Sequence, residues 1–115
     1  MQDQELLKRW ARLIKPLFPK NAQFRSRLKG GDYPDYQIDI IWPPSDTPQE
    51  LSKKLQIIIE REFIEDYLVK EQKIQDDIDN RIIEHIELKL TQFDPYYSRS
   101  EEWYIPSNLI EKKLI

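Results

Sequence analysis

The sequence predicts an α+β domain: an N-terminal helix, an antiparallel β-hairpin, two long helices and an irregular, aromatic C-terminal tail. Three observations carry that expectation. Near the N-terminus apolar residues recur every three or four positions, the pattern of one helix face. Over residues 22–42, two runs alternate apolar with polar residues around the chain's two glycines, Gly30 and Gly31. From Gln49 to Asp94 there is neither Gly nor Pro, so nothing local interrupts a helix across 46 residues. A length of 115 residues matches one hydrophobic core, so the whole chain, 1–115, reads as a single domain.

The first element is a helix over residues 1–15. Leu6, Leu7, Trp10, Leu13 and Ile14 fall on one side, and Lys8, Arg12 and Lys15 share another. Pro16 and Pro19 end it, because proline in a helix interior removes a hydrogen bond and clashes with the preceding turn.

The hairpin occupies residues 22–42. Ala22, Phe24, Ser26 and Leu28 alternate with Gln23, Arg25, Arg27 and Lys29, and a second alternation runs through Tyr36, Ile38, Ile40 and Trp42. The reversal falls at Gly30-Gly31, where positive φ angles cost nothing sterically. With the even-numbered residues inward, Arg25, Arg27 and Lys29 share the outer face with Gln37 and Asp39, so Asp39 is expected to pair with an arginine across the strands.

Pro43-Pro44 stops the second strand, and Thr47-Pro48-Gln49-Glu50 has the makings of a helix start, with Thr and Glu capping free N–H groups. A single helix from there to Asp94 would be a rod of about 69 Å, too long for a compact chain of this size. The apolar stripe Leu51, Leu55, Ile58, Ile59, Phe63 is also out of phase with Ile74, Ile78, Ile82, Ile86, Leu90. Two helices are therefore expected, at 48–69 and 71–92, parting in the polar run Lys70–Lys73. A competing reading makes Ile86, Leu88 and Leu90 a short strand.

Residues 93–115 change character. Tyr96, Tyr97, Trp103 and Tyr104 crowd around a polar run, and Leu109–Ile115 reads as a short terminal helix. The sheet face Phe24, Leu28, Ile38, Ile40 and Trp42 is expected to pack on Trp10, Leu13, Leu55 and Ile58.

Composition bounds the function. Without cysteine there are no disulfides, thiolate metal sites or cysteine nucleophiles. No run approaches a membrane span and no signal peptide is recognisable, which predicts a cytoplasmic protein with no membrane partner. The net charge of −3 hides a segregation. Residues 1–30 hold eight Lys or Arg against Asp3 and Glu5, whereas the remainder holds 10 basic against 19 acidic residues. Such asymmetry suits an anionic partner, or a match to the chain's own acidic helices within the molecule or across a homodimer.

Catalytic signals are weak. His85, the single histidine, falls at the edge of an apolar stripe and reads as half-buried and structural. Asp76, Asp77 and Asp79 read as a solvated helix face, with Asp77 and Arg81 spaced for an ion pair. Pro34-Asp35 followed by Glu87-Leu88-Lys89 resembles the PD...ExK pattern of metal-dependent nucleases, in which two carboxylates hold the metal and the lysine supports the attacking water. The order helix, strand, strand, helix, helix is similar to one form of the KH domain, without its Gly-x-x-Gly clamp. No phosphate-binding loop or serine-nucleophile motif occurs, and no cofactor or metal is expected.

The first functional reading is a non-enzymatic protein-interaction module, self-associating or binding another protein, with Tyr96, Tyr97, Trp103 and Tyr104 as contact residues. The alternative is nucleic-acid binding by Lys8, Arg12, Lys15, Arg25, Arg27 and Lys29, with Tyr33 and Tyr36 stacking on bases. A metal-dependent nuclease ranks below both.

Overall fold

The computed structural model describes residues 2–42, 54–93 and 101–110. In chain order the elements are helix α1 (Asp3–Ile14), strands β1 (Gln23–Lys29), β2 (Asp35–Ile41) and β3 (Leu55–Ile59), helices α2 (Arg61–Leu68) and α3 (Gln72–Leu90), and strand β4 (Glu101–Tyr104). The fold is α+β, with a mixed four-stranded sheet in the order β1-β2-β3-β4. The first two pairings are antiparallel, and β4 runs parallel to β3 after the crossover through α2 and α3.

The N-terminal helix and the hairpin follow the sequence pattern. Leu6, Leu7, Trp10 and Ile14 are the buried face of α1, and a 3-10 turn at Lys15–Leu17 absorbs Pro16. Gly30 and Gly31 carry the turn with φ of 116° and 69°, a region costly for any residue with a Cβ. Tyr36, Ile38, Ile40 and Trp42 are buried, while Phe24 and Leu28 on the neighbouring edge strand are only half covered. Asp39 does meet an arginine. Its cross-strand neighbour is Arg25, but the ion pair is the diagonal one to Arg27, at 3.1 Å.

The expected helix at 48–69 is corrected. Among its described residues, 54–69, Arg61–Leu68 is helical and Leu55–Ile59 is the third strand of the sheet. Leu55, Ile57 and Ile59 are buried at period two, and three consecutive β-branched isoleucines suit a pleated surface better than a helix. Leu55 is therefore core from within the sheet, whereas Ile58 lies on the opposite face rather than packing against the hairpin. The Thr47–Glu50 helix start lies outside the described residues. The break between α2 and α3 does fall where the stripes change phase: Lys70 N–H bonds the Tyr67 carbonyl and α3 begins at Gln72. Ile86, Leu88 and Leu90 are helical, which removes the short-strand alternative.

The tail is also more regular than expected. Glu101–Tyr104 adds to β3, held at its ends by Glu101 N–H to the Lys54 carbonyl (3.1 Å) and Ile105 N–H to the Ile58 carbonyl (3.0 Å). A 3-10 turn follows at Ser107–Leu109, and most of the expected terminal helix lies outside the described residues.

All three helices contribute to one core on a single face of the sheet. At its centre Trp10 meets Tyr36, Phe63 and Tyr67 with ring centroids 5.7, 6.0 and 4.9 Å away. Toward one end, Phe24, Phe18, Trp42, Phe93 and Trp103 form a chain of ring contacts that reaches the C-terminal strand. Among the described residues no helix is long and apolar enough to cross a membrane.

Candidate functional site

Helix geometry sorts the cations of α1 and of the 3-10 turn that continues it. Residues four and then three apart share a face, so Lys8, Arg12 and Lys15 form one stripe along the flank that meets β1. Between that stripe and the strand lies an open cavity of about 320 Å³ with Ala11 and Phe24 among its apolar lining and Ser26 beside them. Phe18 props Phe24 from behind, edge to face, with centroids 5.6 Å apart. Among the described residues, no carboxylate lies within ion-pair distance of Lys8, Arg12 or Lys15. Three exposed cations therefore stand over an apolar floor with their charge uncompensated by contact.

The face of the sheet away from the helices is polar. Register places Arg25, Asp39, Gln56 and Glu102 in one row and Arg27, Gln37, Ile58 and Tyr104 in the next. Asp39 is only 5% exposed there. Burial pushes its carboxyl up, but the Gln37 amide hydrogen bond (2.8 Å), Lys54 (3.5 Å) and Arg27 together hold it below the ordinary aspartate value. Arg25 has no ion pair among the described residues, and Lys29 donates a long hydrogen bond of 3.4 Å to Gln37.

Two further carboxylates are structural. Asp79, 4% exposed, accepts from Trp10 Nε1 (3.0 Å), the Tyr67 hydroxyl (2.9 Å) and Arg9 (2.6 and 3.1 Å). Asp3 accepts from the Tyr36 hydroxyl (2.6 Å) and Arg61 (2.9 Å). The Tyr36 hydrogen bond, outweighing partial burial, holds the Asp3 carboxyl below its usual range. The Tyr36 and Tyr67 hydroxyls, desolvated and bonded to carboxylates, are pushed far up and stay protonated.

The candidate residues thus separate. Lys8, Arg12 and Lys15 converge on the groove, while Arg25, Arg27 and Lys29 occupy the open face of β1, the adjoining edge strand, with Arg27 committed to Asp39. Tyr33 is exposed in the hairpin loop. Tyr36 is fully buried, which withdraws it from base stacking. Trp103 is core: it is 5% exposed, donates from Nε1 to Glu101 and packs on Phe93. Tyr104 is half exposed and donates to Glu102, and Tyr96 and Tyr97 lie outside the described residues.

The nuclease-like residues do not assemble. Asp35, at the start of β2, accepts the Arg61 backbone N–H at 2.8 Å, while Glu87 and Lys89 lie in the last turn of α3. Among the described residues no three His, Cys, Asp or Glu side chains form a metal-ligand cluster. Arg81, expected to pair with Asp77, instead donates to the Leu109 carbonyl at 2.7 Å. His85 is half-buried, as its position predicted. The groove floor itself escaped sequence reading, because Phe24 signals only an inward strand position until the edge location of β1 is known. Compared with protein-family models, curated proteins and solved structures, the chain matches none.

Proposed function

We propose that this protein is a non-enzymatic protein-interaction module whose contact surface is the basic groove between α1 and β1. The observation that carries the reading is the uncompensated stripe Lys8, Arg12, Lys15 over an apolar floor that includes Phe24. Apolar area supplies affinity, and the surrounding cations select an acidic partner and steer its approach. A second copy carries acidic surface of its own, with Glu60, Glu62 and Asp66 exposed around another concavity of about 430 Å³.

Burial of Tyr36 favours a protein over a nucleic acid, because it leaves Tyr33, out in the hairpin loop, as the exposed aromatic of the proposed stacking pair. The test is binding of a labelled oligoglutamate, short RNA and short DNA across a salt series, run beside a mass measurement. Salt-sensitive binding of oligoglutamate in preference to RNA and DNA is expected, and a salt-sensitive dimer would identify a second copy as the partner. Tighter binding of either nucleic acid at equal salt overturns the reading in favour of nucleic-acid recognition.

A further inference from the structure

Resting on the proposed groove, we infer that β1 receives an extended acidic segment of a partner protein by strand addition, lengthening the sheet at its basic edge. The backbone invites it. β1 is an edge strand of seven residues, paired to β2 in unbroken register from Gln23 to Lys29. In an antiparallel pair alternate residues turn their N–H and C=O groups away from the neighbour, so the outer side of β1 carries a row of such groups. Among the described residues no other backbone segment bonds to that side.

Edges are commonly blunted by proline, a bulge, shortness, a covering loop or charged side chains, and charge blunts an edge only toward strands of like sign. Within β1 the sequence has no proline and the register no bulge. The other edge, β4, has only four residues. What β1 does carry is charge. Arg25, Arg27 and Lys29 line its open face, Lys8, Arg12 and Lys15 flank the helix side, and Arg27 keeps a buried Nε without a hydrogen-bond partner. Like charges set opposite one another repel, so this edge discriminates against the β1 of a second copy and favours a strand of opposite sign.

The pleat then specifies the occupant. Residues of an added strand alternate between the two faces, so one set meets Arg25, Arg27 and Lys29 and the other meets Phe24, Ser26 and Leu28. The ligand is therefore an extended segment with Asp or Glu at alternate positions and apolar residues between them. Lys8, Arg12 and Lys15 line the same groove as Phe24 and Ser26 and add to the attraction of such a strand.

The probe is a labelled, end-capped peptide of about eight residues alternating Glu and Val, long enough to span the strand. It is compared with a peptide of the same composition with its glutamates in one block, and with two versions N-methylated at every second residue, one for each edge. Strand addition predicts that the alternating peptide binds and that methylating one edge, but not the other, weakens binding roughly tenfold or more as ladder hydrogen bonds are lost. It also predicts that alternate amides of β1 become protected from hydrogen exchange. Absence of binding, equal binding of the blocked peptide, or indifference to methylation of either edge overturns it. So does a concentration-dependent dimer that protects the β1 amides without peptide, which would assign the edge to a second copy. Lys8→Glu with Arg12→Glu separates the two readings. If this variant loses all acidic peptides while methylation has no effect, the groove stands and strand addition falls; if it retains them all, the groove itself falls.

Discussion

Arg9 and Arg12 stand about one turn apart on α1, yet their side chains reach out to different flanks of it. Arg9 turns toward α3, where it grips Asp79 at 2.6 Å and Asp76 at 3.2 Å. Arg12 turns toward β1 and lines the groove, with no carboxylate in reach among the described residues. On the first flank the cation helps satisfy a buried carboxylate that also holds Trp10 and Tyr67, so its charge serves the fold. On the second, three cations lie beside apolar surface and contribute nothing evident to the core. Residue type does not separate structural from recognition charge; the presence of a partner within the chain does.

Breaking the paired flank has the largest expected effect. Asp79→Ala removes the acceptor for two buried donors and is expected to cost about 3 to 5 kcal/mol in urea unfolding. Asp79→Asn, which keeps the shape and one oxygen, should cost less. A loss below about 1 kcal/mol for the alanine variant would mean that water replaces the network. Leu55→Ala should cost about 2 to 5 kcal/mol, because Leu55 is fully buried on β3 between Ile40 and Glu101. A negligible change would remove Leu55 from the core.

The next effect is smaller and depends on pH. Burial first and Lys89 second hold the His85 imidazole below its ordinary value. The unfolded chain therefore takes up the proton more readily than the folded one, and stability should fall as pH drops through the usual histidine range near about 6.5. Urea midpoints at neutral and mildly acidic pH measure this, and His85→Gln should flatten the difference. Asp3 and Asp39 have lowered values, so their contribution is intact above the ordinary aspartate range and is lost only in stronger acid, below roughly pH 4. A midpoint that rises on mild acidification would contradict the His85 account.

The smallest stability effect belongs to the unpaired flank. Lys8→Ala with Arg12→Ala should shift the unfolding free energy by no more than about 0.5 kcal/mol. A larger loss would show that these side chains hold the fold through their aliphatic stems.

The helix and hairpin were legible because their information is local. Spacing of three and four placed Trp10 in the core, and alternation with two glycines placed Tyr36 to Trp42. The third strand was hidden because Leu55–Ile59 runs into α2 without Gly or Pro, so a window spanning both elements reads as helix. The run Ile57-Ile58-Ile59 was the signal that could have revealed it. For β4, alternation of Glu102 and Tyr104 with Trp103 and Ile105 was present, but its partner lies beyond two helices. The basic residues and their division between a helix flank and the outer strand face were visible in the sequence, whereas the groove depends on which strand forms the edge.

Fluorescence anisotropy of a labelled oligoglutamate, titrated with wild-type protein and with the Lys8→Glu, Arg12→Glu variant at low and moderate salt, tests the division of α1 most directly. If that division holds, binding by the wild type weakens with salt, and the variant loses it at an unchanged urea midpoint. Equal binding by both proteins, or no binding by the wild type at low salt, would contradict it.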